Sequence, residues 1–367
     1  MALIVTFLPL HKDNPIGTTL LLSLVTFSMA FIDTVCDGIL VVAQRIDPQH
    51  GSEDLQVLAW GFQAIGGVIP SGLSIILSVK FTLQAAYIIP AVVGLLLFVA
   101  SLFITKEMEQ DNEQYMALNF KQRSAYVYRS MKQALKLDTL RNLMIFFLVF
   151  LLIMPNFKDY LDYFYNFNVV WDASLEIVVS TGVLISTIVY AVFLEEVEMR
   201  KIAAMAIVFY LFNTCLNLLL VNRVIRMNTW PFVSIQAILF EAPTQALFFL
   251  PAYVTVAKLI PDNIEASMYS ILKSIQACSV LVYGRLLGSA IGAVISNSPT
   301  DTDNSTFLTV LLCFSFVAGG TLACFLRLLP TQVEILAAQT SIFYEHFMKK
   351  KETDRTRIDL NRIATFA

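Results

Sequence analysis

A few ionisable side chains sit where ionisable side chains are expensive. Asp33 and Asp37 fall within an apolar run from about residue 16 to 42. A carboxylate at bilayer depth costs about 2.5–3.5 kcal/mol on insertion scales. Four residues apart, the two share one helical face, one turn above the other. Carboxylates about 6 Å apart repel by roughly 3 kcal/mol at an effective dielectric of 20, which disfavours both being ionised at once. The pair suits the handling of a proton or a polar solute; the alternative is a structural ion pair with a basic residue of another span. Asp159 and Asp162 follow Lys158 in a tyrosine-rich stretch, MPNFKDYLDYFYNF (154–167). They suit either a polar path or a solvated position beside an interfacial aromatic belt. Glu241 and Gln245 flank Pro243 near the middle of a further apolar run. Proline removes a ladder hydrogen bond and kinks a helix, freeing carbonyls. Helices broken at mid-depth form binding sites in many transporters; the alternative is a packed kink. Lys273 and Arg285 are candidate counter-ions for these acids, or side chains that snorkel to an interface. Trp60 suits either stacking on a flat ring or interfacial anchoring.

These residues need a membrane scaffold, and composition supplies one. Of 367 residues, 57% are hydrophobic and 14% are charged, against about 25% charged in a soluble domain. The expected fold is an all-α polytopic membrane protein. The five cysteines all fall in apolar spans without paired spacing, so neither disulfides nor a metal site are expected. No nucleophile–base constellation, metal-ligand spacing or phosphate loop is present, so neither an enzyme nor a cofactor is expected. A lipid bilayer and a small-molecule solute are the expected partners, with no nucleic acid and the chain a monomer. The first ten residues make a poor signal peptide and are too short to span.

Nine spans are expected, at about 16–43, 55–79, 82–105, 139–165, 173–194, 201–222, 229–258, 264–295 and 306–329. An N-terminal stub precedes them. Residues 1–105 form the remnant of one helical bundle, 106–138 a polar inter-bundle loop, 139–330 a six-helix bundle and 331–367 a basic tail. The glycines of the second span (Gly61, Gly66, Gly67, Gly72) suit close helix packing. The positive-inside rule places 45–54, 106–138, 194–201, 258–263 and the tail in the cytosol. The acidic runs lie on every third span, the spacing of cavity-lining helices in a transporter of two six-helix bundles.

Three blocks of sequence resemble the folate–biopterin transporters of the major facilitator superfamily. FIDTVCDGILVVAQR (31–45) with LAWGFQAIGGVIPSGLS (58–74) resembles the family's fourth and fifth helices. MPNFKDYLDYFYNFNVVWDASLEIV (154–178) with VYAVFLEEVEMRKI (189–202) resembles its seventh and eighth. LPAYVTVAKLIPDNIEASMYSILKSIQ (250–276) carries its Pro-x-x-x-Glu turn at Pro261 and Glu265. The resemblance implies twelve helices, of which about the first three are absent here. It implies transport of folate, pterin or a related small metabolite, coupled to protons, with Asp33 and Asp37 as the intramembrane acids. Lys273 stands where the family pattern has a small or uncharged residue, which favours a different small organic solute. Loss of the first helices favours a non-transporting membrane scaffold.

Overall fold

The structure, a computed structural model, describes residues 15–44, 50–80, 83–103, 119–153, 161, 165, 168–225, 228–260, 264–277, 286–287, 290 and 304–338. The described residues form helices and their connections, as a chain of long apolar runs requires: in lipid each backbone polar group must be satisfied within its own segment. The helices are α1 (Pro15–Ala43), α2 (Gly51–Lys80), α3 (Leu83–Ser101), α4 (Phe120–Ala134), α5 (Asp138–Ile153), α6 (Val169–Val189), α7 (Met199–Val221), α8 (Thr229–Gln236), α9 (Ala242–Leu259), α10 (Glu265–Ala277) and α11 (Asn304–Leu322). Among the described residues, six helical segments are long and apolar enough to cross a membrane. This is an integral, multi-pass membrane protein, and each of the nine expected stretches contains helix among its described residues.

Helix α4 is a feature the hydropathy pattern does not announce. It lies in the polar stretch between spans and has an apolar face carrying Val127 and Met131, which pack on the main core. Its first turn is closed by Gln122, whose Oε1 accepts from the Asn119 backbone N–H at 3.0 Å, half of a capping box.

Helix α9 is the centre of the fold. Nearly every residue from Ala246 to Leu259 is buried, as expected of a helix that is apolar all round. It packs on α2, α5, α6, α7 and α10. Aromatic rings fill the α5–α9 interface: Phe150 and Phe248 have centroids 4.5 Å apart, and Phe147 stacks on Phe249 at 6.2 Å. Pro243 does not end the helix. A π-helical turn, Ala237–Glu241, precedes it and joins α8 to α9. The Ala242 N–H bonds the Ala237 carbonyl, and the widened turn absorbs the register change forced by proline.

Helices α2 and α6 pack along their length, and the approach is closest at Gly67. A Cβ there would lie 2.3 Å from Ser180 Oγ and 3.1 Å from its Cβ. By contrast, Gly66 and Gly72 face open space, so the close packing expected of the four glycines is concentrated at Gly67 and, with Leu184 at 3.8 Å, Gly61.

Candidate functional site

Helix α10 lies against α1 and brings Lys273 to the aspartate pair. The ammonium donates a hydrogen bond to Asp33 Oδ2 at 2.7 Å. It forms an ion pair with Asp37 Oδ2, also at 2.7 Å, off the hydrogen-bonding axis. One lysine therefore holds two carboxylates one turn apart. The environment is graded: the Asp33 side chain is 59% exposed and the Asp37 side chain 14%. With both acids ionised the triad carries one excess negative charge, and a single proton would neutralise it.

Asp37 and Lys273 line a cavity of about 70 Å³ together with Gln56, Trp60, Gln63, Tyr253 and Tyr269. Each helix contributes side chains at helical spacing. Gln56, Trp60 and Gln63 follow an i, i+4, i+7 stripe on α2, and Tyr269 and Lys273 stand four apart on α10. Tyr253 of α9 stacks on Tyr269 with centroids 5.1 Å apart, and Trp60 tilts toward Tyr253 at 6.0 Å. Besides the ion-paired Asp37 Oδ2, two buried neutral polar atoms on this wall, Gln56 Nε2 and the Tyr269 hydroxyl, have no hydrogen-bond partner among the described residues. Buried polar groups are nearly always paired with protein or ordered water, so the two mark a place for a polar guest. The cavity is well below the ~300–1,000 Å³ of pockets that enclose an organic ligand. A ring-sized molecule fits only if the helices part.

One turn along α2 from Gln56, the chain is tied across. Glu53, in the first turn of α2, pairs with Lys258, in the last turn of α9. Each charge complements its own helix dipole. His50 Nδ1 lies 3.7 Å from Glu195 and 4.0 Å from Glu53. Gln44, at the end of α1, donates to the Ala257 carbonyl at 3.2 Å. The ligating atoms of His50, Glu53 and Glu195 lie within 4.8 Å of one another. Lys258 already supplies positive charge there, so the cluster reads as an ion-pair network.

Glu241 is placed elsewhere. It lines a smaller cavity with Asn217 and Gln236 that shares no lining residue with the first. Gln245 is half-buried on α9 and lines neither cavity. Asp159, Asp162 and Arg285 lie outside the described residues. The structure thus assembles Asp33, Asp37 and Lys273, and adds Gln56, Gln63, Tyr253 and Tyr269, which sequence reasoning missed. The α2 stripe was the available signal.

A model of the BT1 family matches residues 1–343 of the chain. A folate-biopterin transporter of Synechocystis sp. (strain ATCC 27184 / PCC 6803 / Kazusa) is 25% identical over 301 residues, which is 80% of this chain and 59% of that protein. The chain therefore spans less than two thirds of that relative's length.

Proposed function

This chain belongs to the BT1 family, and from that premise we propose that it is a membrane transporter for folate, pterin or a closely related metabolite, driven by protons. The family is one of transporters and not of enzymes. The observation that carries the reading is the Asp33–Lys273–Asp37 triad beside a cavity whose wall holds two buried neutral polar atoms without a hydrogen-bond partner among the described residues. A pteridine is flat and polar at its edge. Trp60, Tyr253 and Tyr269 offer aromatic faces for stacking, and Gln56 and the Tyr269 hydroxyl offer edge hydrogen bonds. A substrate carboxylate can claim Lys273 only when the aspartates release it, and protonation of Asp33 or Asp37 is the event that weakens their hold. Proton uptake and substrate binding thereby favour each other. The charge change biases one group of helices against the other, with α1–α3 rocking against the helices after residue 138 as in two-bundle transporters. The Glu53–Lys258 tie closes the end that the positive-inside rule places in the cytosol.

The test is uptake of folate and of pterin by cells expressing the chain, at several pH values, for wild type, Asp37→Asn and Lys273→Ala. The expected result is a loss of about tenfold or more in each variant, with the pH dependence flattened in Asp37→Asn. Full uptake with unaltered pH dependence in both variants would overturn the reading.

A further inference from the structure

The second cavity, around Glu241, has a chemistry of its own. It measures about 30 Å³, room for about one water-sized guest. Its polar wall is formed by Tyr165, Asn217, Gln236 and Glu241. The Gln236 amide is fixed in direction: Nε2 donates to the Asn213 carbonyl at 3.1 Å and to Asn213 Oδ1 at 2.7 Å. That leaves Gln236 Oε1 buried on the cavity wall with no donor among the described residues, in a side chain only 5% exposed. The Tyr165 hydroxyl donates to Asn217 Oδ1 at 3.1 Å, which turns a second amide oxygen toward the same region. A carboxylate has about four acceptor positions, so the interaction Glu241 already makes leaves capacity for another. Two amide oxygens and one carboxylate are hard ligands, suited to hard cations and to no soft metal.

We propose that this cavity is a binding site for one sodium-sized monovalent cation, separate from the Asp–Lys triad. Binding does not depend on the transport reading; only a role as a second coupling ion does. The site joins α7, α8 and the π-helical turn, so a bound cation would hold the α8–α9 junction in its present register.

The test is thermal melting of the purified full chain in detergent, with sodium chloride replacing choline chloride at constant ionic strength and potassium chloride in parallel. A saturable rise of about 3 °C in apparent Tm is expected with sodium, and a smaller one with potassium. The rise should vanish in Glu241→Gln and in Gln236→Leu and persist in Asp37→Asn. Equal melting in sodium and choline, or equal shifts in sodium and potassium, would overturn the proposal; the first result means that the cavity holds water alone. A sodium shift retained in Glu241→Gln would also overturn it. Should the variants not fold, radioactive sodium binding to the wild-type protein decides: about one ion per chain supports the site, and none removes it. No folate is involved in any arm, so failure here leaves the uptake test untouched, and the reverse.

Discussion

At the scale of single residues, Lys273 carries two obligations. Removing it leaves two carboxylates one turn apart with no counter-charge among the described residues, and breaking a buried ion pair from one side costs about 3–5 kcal/mol. The triad is partly wet, so Lys273→Ala is expected to cost about 1–2 kcal/mol, read as a lower Tm. Adding Asp37→Asn should recover part of that loss; a double variant less stable than Lys273→Ala would mean that the three residues do not act as one electrostatic unit. Tyr269 has the opposite signature. Its hydroxyl is buried and has no hydrogen-bond partner among the described residues, a state that costs about 1–3 kcal/mol when no water or ligand relieves it. Tyr269→Phe is therefore expected to melt no lower than wild type, and up to about 1 kcal/mol more stably, while taking up less substrate. The triad was legible in the sequence because a charge in an apolar run stands out one residue at a time. Gln56, Gln63, Tyr253 and Tyr269 were not, because amides and aromatics are ordinary in spans. Their meaning depends on which face of α2, α9 and α10 turns inward.

At the scale of elements, small residues decide which helices can touch. A Cβ at Gly182 would lie 2.7 Å from the Ala242 Cβ and 3.3 Å from the Ile238 Cα. Neither atom is the end of a flexible chain. Gly182→Ala is expected to destabilise by about 1–3 kcal/mol through overpacking, whereas Gly66→Ala, which meets nothing within 4 Å, should melt as wild type. Comparing the two Tm values checks the helix crossing directly. The short helix over residues 332–338 depends on a different device. The Thr331 N–H donates to Glu334 Oε2 at 2.7 Å and the Glu334 N–H to Thr331 Oγ1 at 3.3 Å, a reciprocal capping box. The backbone bond from Thr331 holds the Glu334 carboxyl below its usual range. A depressed carboxylate stabilises above its unfolded pKa, and that contribution is lost as pH falls through the folded value. Acidification below the ordinary glutamate range should therefore fray this helix, and Glu334→Gln, which cannot titrate, should remove the pH effect. Hydrogen exchange of its amides reads both. The sequence showed α9 as a proline-bearing apolar run and suggested a break. What it could not show is that a single π-helical turn accommodates Pro243, since that choice depends on the packing of Gly182 against the same turn.

At the scale of the whole molecule, the apolar stretches were enough to mark the six spanning helices among the described residues, because the bilayer allows so few alternatives, though not to mark α4. Which helices pair was not legible. Nothing in the local pattern of Glu53 or Lys258 says that a residue at the start of α2 meets one near the end of α9, 205 positions along the chain. Gln56 on the triad-cavity wall sits one turn from Glu53, so the tie is placed to close that end. Glu53→Gln is expected to loosen the closure, so that a cysteine introduced at Ala59, a cavity-lining position, reacts several-fold faster with a water-soluble thiol reagent from that side. An unchanged labelling rate would show that the tie is not what shuts the end. The burial pattern sets a limit on any such opening. Helix α9 is enclosed nearly all round, whereas none of the most apolar window of α1 is buried. A helix gripped on every side is a keel: shifting it would tear many contacts at once. Helix α1 is held mainly along α10, through Lys273, and at its end by the buried Val41 and Gln44, so any movement of the wall is expected to start at that edge, with the middle as its fixed point.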